Sequence, residues 1–172
     1  MKKKTPLLTP LQRILNLLSI LLCVSAFVYT IIVYPSLPDE IPSHYDASGN
    51  ITSYNGKSML IVLCFIELFI IALPLTGLSH IKGLADITNA PFRIPKGQEG
   101  ALSSLTRTLL CCMNITLTAM FSFIIFSSAQ CKNLPGLSIW LPMVILAALL
   151  VWYCIRCYQL SKQPKEWEPW DD

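Results

Sequence analysis

Four long, predominantly apolar runs divide this chain, and they restrict its fold more than any other feature of the sequence. A helix rises about 1.5 Å per residue, so each run is long enough to cross about 30 Å of hydrocarbon. Hydrophobic residues make up 53% of the 172 residues and charged residues only 13%, as is typical of a membrane protein. The sequence therefore predicts an all-α fold, a four-helix transmembrane bundle in the lipid bilayer. It forms one integral membrane domain over residues 1–172, with helices at about 14–34, 58–79, 108–131 and 134–155.

The positions of lysine and arginine predict how the bundle is oriented. Eleven of the thirteen precede the first run, separate the second from the third, or follow the fourth. Only Lys57 and Lys132 lie in the other two connections. Because positive residues concentrate in cytoplasmic segments, we expect the N- and C-termini in the cytoplasm and the loop between the first two helices outside. The positive charges form no dense run, so we expect anionic lipid head groups rather than nucleic acid as their partners.

The first run follows a basic arm, as the core of a signal peptide does. It holds twenty-one uncharged residues, which is longer than a typical signal core. We therefore expect it to remain attached as a membrane anchor.

Glu67 is the one ionisable residue deep within a predicted span. A charge at the bilayer centre costs at least about 2.5 to 3.5 kcal/mol on insertion scales, so Glu67 should be neutral, paired, or turned toward the bundle interior. The polar residues at similar depth are candidate partners for its carboxyl group. They are Ser25, Thr116 and Thr118, with Asn114 somewhat nearer the cytoplasm.

Two interpretations of Glu67 remain open. In the first, Glu67 carries protons or coordinates a cation in a small transporter or a transporter accessory subunit, and Pro74 with Gly77 marks a flexible half-helix. In the second, a protonated Glu67 donates one interhelical hydrogen bond that fixes the packing of the bundle. A transporter normally lines its path with several such groups, so the isolation of Glu67 favours the structural interpretation.

The proline-rich loop between the first two helices reads YPSLPDEIPSHYDASGNITSYNGK, residues 34–57. Its three prolines favour an extended, stiff backbone. Asp46 and Gly49 fit the two ends of a type I turn, around which His44 and Tyr45 would face residues 51–52 in a short hairpin. Lys57 closes the loop, where its ammonium group can reach lipid head groups or a loop carboxylate. The residues expected to bind a ligand are Asp39, His44, Asp46 and Lys57.

This loop also carries a recognisable pattern, whose matching residues are Leu37, Pro38, Asp39, Ile41, Pro42, His44, Tyr45, Gly49 and Lys57. Placed directly after a transmembrane helix, it resembles a bacterial membrane domain of unknown function with the loop motif LPDxIPxH. That domain occurs at the N-terminus of SdpI-type immunity proteins and in shorter membrane proteins. The resemblance spans about residues 20–75, and two further helices follow it, so the chain is similar to the shorter members.

The resemblance implies a protein of the bacterial cytoplasmic membrane with an immunity or signalling function. In such a protein the outer loop would bind an extracellular peptide or toxin. The connection between the second and third helices, or the tail with Trp167 and Trp170, would bind a cytoplasmic protein partner.

The alternative for the loop is a metal site formed by Asp39, His44 and Asp46, which would allow a metal-dependent membrane enzyme. The sequence has no HExxH helix, no serine elbow and no cysteine placed with His44. We therefore expect no enzymatic activity and no cofactor.

Overall fold

The computed structural model describes residues 7–163. Lys2, Lys3 and Lys4 of the basic arm, and Lys165, Trp167 and Trp170 of the tail, lie outside the described residues. Four helical stretches are long and apolar enough to cross a membrane: Pro10–Ser36, Ser58–Ser79, Glu99–Ala129 and Gly136–Ser161. The predicted four-helix transmembrane fold is confirmed, and the chain is a multipass membrane protein.

The first span consists of helix α1, Pro10–Val33, and a 3-10 turn, Tyr34–Ser36. Its start is fixed by a capping box. The backbone N–H of Thr9 donates to Gln12 Oε1 over 2.9 Å, and the backbone N–H of Gln12 donates to Thr9 Oγ1 over 3.3 Å. Pro10 occupies the first helical position, where a missing N–H leaves no hydrogen bond unmade. The helix therefore begins four residues before the apolar run that predicted it.

The second span is interrupted in its middle. Helix α2, Ser58–Phe65, continues into a π-helical segment, Ile66–Ala72, and then into α3, Leu73–Ser79. The backbone N–H of Leu73 donates to the carbonyl of Leu68, five residues earlier instead of four. Pro74 has no N–H to offer the preceding turn, which favours a wider winding just before it. Glu67 lies within this π segment.

The remaining helices are α4, Leu84–Ile87, α5, Glu99–Ala129, and α6, Gly136–Ser161. Helix α5 begins nine residues before the predicted boundary, and α6 ends six residues after it. A search for uncharged runs stops at Arg107 and Arg156, whereas helical hydrogen bonding continues past them. Helix α5 is the central element of the bundle, because α1, the α2–α3 span, α4, α6 and the first β-strand all pack against it.

Between α1 and α2 the chain forms a two-stranded antiparallel hairpin, β1 at Glu40–Tyr45 and β2 at Ile51–Gly56. Tyr45 pairs with Ile51, as the sequence predicts. His44 pairs with Ser53 rather than with residue 52, because the register shifts on both sides of His44.

The bundle buries polar side chains and exposes apolar ones. Ile32, Leu137 and Ile70 are each about 70% exposed, at 71%, 70% and 68%, as expected for side chains that face lipid. Buried polar side chains lie between α1, the α2–α3 span and α5, where they hydrogen-bond across helices. They include Gln12, Asn16, Thr30, Glu67, Ser79, Arg107, Asn114 and Thr118.

Candidate functional site

Residues 34–57, here called the cap, are anchored to the bundle through their apolar side chains. Leu37 and Ile41 are buried, Ile41 completely, and they pack into a cluster with Leu60 on α2 and Ile125 on α5. The prolines flanking these residues hold the backbone extended. The stem of the cap is thus a continuation of the bundle's core.

Lys57 and Asp39 close the base of the cap. Lys57 Nζ lies 3.2 Å from Asp39 Oδ1 and 5.7 Å from the centre of the Tyr34 ring. The backbone N–H of Lys57 also donates to the carbonyl of Asp39 over 2.9 Å. The Asp39 side chain is 96% exposed, so the ion pair itself stabilises the fold by no more than about 1 kcal/mol. The predicted contact of Lys57 with a loop carboxylate is present.

Asp46 holds the turn of the hairpin. Its Oδ1 accepts hydrogen bonds from the backbone N–H groups of Asn50 and Ser48, each over 2.8 Å, and its Oδ2 accepts from Asn50 Nδ2 over 3.1 Å. The hydrogen bonds from Asn50, backbone first and side chain second, hold the pKa of Asp46 below its ordinary value. This stabilisation is present above the unfolded-state pKa and is lost as the pH falls through the folded-state pKa. The carboxylate is engaged within its own turn.

His44 is exposed on the hairpin and contacts only serines through its Nδ1 atom. That atom lies 2.8 Å from Ser53 Oγ and 3.2 Å from Ser43 Oγ. Within residues 7–163 no three His, Cys, Asp or Glu side chains are placed to share a metal ion. Asp39, His44 and Asp46 are therefore not assembled as the three-ligand site that the sequence allows, because each is bound in a different part of the cap.

The far end of the cap is fastened to the turn between α5 and α6. The backbone N–H of Leu134 donates to the carbonyl of Gly49 over 2.8 Å, and the backbone N–H of Ile51 donates to Asn133 Oδ1 over 3.1 Å. Two hydrogen bonds from side chains add to this contact, here called the clamp. Trp140 Nε1 donates to the carbonyl of Ala47 over 3.0 Å, and the hydroxyls of Tyr45 and Ser128 lie 2.9 Å apart.

Sequence reasoning did not find the clamp residues on α5 and α6. The available signal was the very short connection between these helices, which must lie on the same side of the membrane as the cap. The second feature that could have indicated this contact is Gly49. Its φ is 87°, and a side chain there would place Cβ 1.9 Å from the carbonyl oxygen of Leu134.

Glu67 is fully buried, and its hydrogen-bond partner is Ser122. Ser122 Oγ donates to Glu67 Oε1 over 2.6 Å, while Glu67 Oε2 has no hydrogen-bond partner among residues 7–163. The four partners expected from depth along the helices were wrong, because depth does not specify which face of a helix a residue occupies. Ser25 and Thr116 bond carbonyls of their own helices, Thr118 bonds Asn114, and Asn114 donates to Thr76 Oγ1 over 2.9 Å.

At the end of the bundle opposite the cap, α5 holds the connection that follows α3. Arg107 is 7% exposed, and its guanidinium group donates to the carbonyls of Ser79 and Ile81 over 3.2 and 2.9 Å. Four residues nearer the start of α5, Ser103 Oγ accepts the backbone N–H of Ala85 over 3.0 Å. The positive charge of Arg107 lies at the C-terminus of α3, where the helix dipole is negative.

Comparison with known proteins gives one match. Residues 21–68 match the family described as Domain of unknown function (DUF1648). The matched residues include most of α1, the whole cap, α2 and Glu67. Neither the curated proteins nor the solved structures give a match to this chain.

The clamp predicts that Gly49→Ala is destabilising. The variant combines a positive φ with a clash against the Leu134 carbonyl, and we expect a loss of about 1 to 3 kcal/mol. The measurement is the midpoint of thermal unfolding in detergent. Gly77→Ala is the matched control, because a Cβ there meets nothing within 4 Å and the residue is helical. Equal midpoints for the two variants would contradict the clamp.

Proposed function

We propose that this chain is a non-enzymatic signalling or immunity protein of the bacterial cytoplasmic membrane, related to the SdpI type. In this proposal both termini are cytoplasmic and the cap faces outside. The cap binds an extracellular peptide or toxin, and the connection between α3 and α5, residues 80–98, binds a cytoplasmic protein. The distribution of lysine and arginine supports this orientation.

The observation that carries the proposal is the course of α5. This helix is continuous over 31 residues. Near its end Ser128 contacts Tyr45 of the cap, and near its start Arg107 and Ser103 hold residues 79–85. A ligand that shifts the cap therefore also shifts the helix that positions the opposite connection. Two surfaces joined by one rigid element are what a transmembrane signal requires.

The exposed strand of the cap suits peptide binding. Strand β2, with the sequence ITSYNG, carries no charge and no proline, and it is an edge of a two-stranded sheet. Charges and prolines are the features that usually protect a sheet edge from pairing. The Ile51 N–H is already bonded to Asn133, so the edge beyond Ile51 is the part open to an extended peptide. Tyr54 is 55% exposed on the strand and offers an aromatic contact. Because the clamp already orders the cap, binding a peptide would cost little further ordering.

This function is tested by growth of cells that do or do not produce the protein, across a panel of purified secreted peptides. We expect production to shift the inhibitory concentration of at least one peptide, and Tyr54→Ala to reduce that shift. Trp152→Ala is the matched control, because Trp152 is an aromatic residue 37% exposed on α6, away from the cap. The proposal fails if no peptide distinguishes the cells, or if the Tyr54 and Trp152 variants behave alike.

A small transporter or a transporter accessory subunit is the second candidate function. It is favoured by one observation: Glu67 is a fully buried carboxyl group with an unpartnered oxygen, within a π segment at mid-span. Segments of this kind recur at functional sites in helices. No other carboxyl group is buried in the described part of the chain, so this candidate ranks below the first.

Glu67→Gln separates transport from packing. The amide keeps the shape of the side chain and can still accept from Ser122, so we expect the folded protein to persist in detergent. If Glu67 couples transport, proton flux into reconstituted vesicles, followed with a pH-sensitive dye, falls to the level of empty vesicles. Unchanged flux in the variant would exclude this second function and would not affect the proposal of a peptide-binding signalling or immunity protein.

A further inference from the structure

The surroundings of Glu67 differ between its two sides, and the side toward the cap is mainly apolar. The polar contact on that side joins Thr30 Oγ1 and Cys64 Sγ, which lie 3.3 Å apart and are buried. Ile125 on α5 lies one turn beyond Ser122 and is completely buried. It packs in the cluster that contains the buried cap residues Leu37 and Ile41. We call this cluster the seal, and its members are Ala26, Leu37, Ile41, Leu60, Cys64 and Ile125.

The side away from the cap is polar. Thr118 lies one turn before Ser122 on the same face of α5, and its Oγ1 donates to Asn114 Oδ1 over 3.4 Å. Asn114 Nδ2 donates to Thr76 Oγ1 over 2.9 Å. The carbonyl of Thr76 accepts from Ser79 Oγ over 2.7 Å.

Two further residues extend this route to the end of the bundle. Asn16 Nδ2 donates to Ser79 Oγ over 2.8 Å, and both side chains lie against the buried thiol of Cys111. The exposed ring of His80 lies beside the same residues, with Nδ1 2.8 Å from the Thr76 carbonyl. We call this series the polar file, and its members are Thr118, Asn114, Thr76, Ser79, Asn16 and His80.

No positive side chain in the described part of the chain is paired with Glu67. Within residues 7–163 the one ion pair joins Lys57 to Asp39, at the base of the cap. The titratable groups that face Glu67 are the thiols of Cys64, one turn earlier on α2, and Cys23 on α1. From α5 it meets the hydroxyl of Ser122. A carboxylate in such surroundings is costly, whereas the neutral acid is tolerated.

We propose that Glu67 is a proton-binding site that exchanges protons with the end of the bundle opposite the cap, through the polar file, and that the seal closes it toward the cap. The step adds one proton to one carboxylate oxygen and moves no electrons. The ligand is a proton rather than a metal ion, because hard divalent cations take six or more oxygen ligands and Glu67 meets a single hydroxyl. The inference uses none of the cap's exposed surface, so a failure of peptide binding would not contradict it, and its own failure would not contradict peptide binding.

The experiment uses dicyclohexylcarbodiimide, an apolar reagent that modifies protonated carboxyl groups. The full chain is reconstituted in phospholipid vesicles, and the adduct is located by mass spectrometry of the protein and its peptides. In a Cys154→Ser background, which removes the exposed thiol on α6, the exposed Cys131 beside the cap reports the orientation of each molecule through its reaction with a membrane-impermeant maleimide. Buffers of different pH are then placed on the two sides.

We expect an adduct at Glu67 that is missing in Glu67→Gln. From an alkaline starting pH, its rate of formation should rise when the side opposite the cap is acidified and should not respond to acid on the cap side. Absence of an adduct at Glu67, or a rate set by the pH on the cap side, would overturn the inference.

Two threonines on α5 provide a matched pair for the polar file. Thr118→Val removes a hydroxyl of the file, whereas Thr116→Val removes one that bonds only the Cys112 carbonyl of its own helix. After an acid jump from the same alkaline starting pH, on the side opposite the cap, we expect the rise in labelling to be several-fold slower in Thr118→Val than in Thr116→Val. Equal rates in two folded variants, as judged by gel filtration, would show that the file carries no protons.

Discussion

The hydrogen bond from the Leu134 N–H to the Gly49 carbonyl ties the cap to the bundle, and much of the structure depends on it. A two-stranded hairpin is marginally stable by itself in water. Here its turn is fastened to the connection between α5 and α6, and its stem is buried against α2 and α5. The same contact explains why a glycine stands at position 49, where the backbone φ is 87° and the approach leaves no space for a side chain. The hairpin is consequently part of the membrane bundle.

Because of this attachment, the cap makes two separate contacts with the helices of the bundle. Through Tyr45 and Ser128 it contacts α5, the helix that reaches the opposite connection. Through Ile41 it covers the apolar cluster above Glu67. A ligand that displaces the cap would therefore change both the position of α5 and the access of protons to Glu67. The two proposals are nonetheless separable, because one rests on the exposed strand and the other on buried groups.

Local chemistry was sufficient to predict some of these features from the sequence. Hydropathy located the four spans, and the spacing of Asp46 and Gly49 located the turn. The ends of the helices were less predictable, because helical hydrogen bonding continues past Arg107 and Arg156 whereas the apolar runs stop there. The partner of Glu67 was not predictable, because it depends on how helices distant in sequence are rotated about their axes. For Gly49 the sequence indicates that the short α5–α6 connection lies on the same side as the cap, but not which residue of it makes the contact. Ser122 and Leu134 carry no local sign of these contacts.

Hydrogen exchange at the clamp tests most directly whether the cap is part of the bundle. The amides of Ile51 and Leu134 join the hairpin to the turn between α5 and α6. In detergent or lipid nanodiscs we expect both to exchange slowly and together, at rates near those of the last turns of α5, because they open only when the clamp opens. Exchange of these two amides as fast as in an unstructured peptide, while α5 stays protected, would contradict a cap that is built into the bundle.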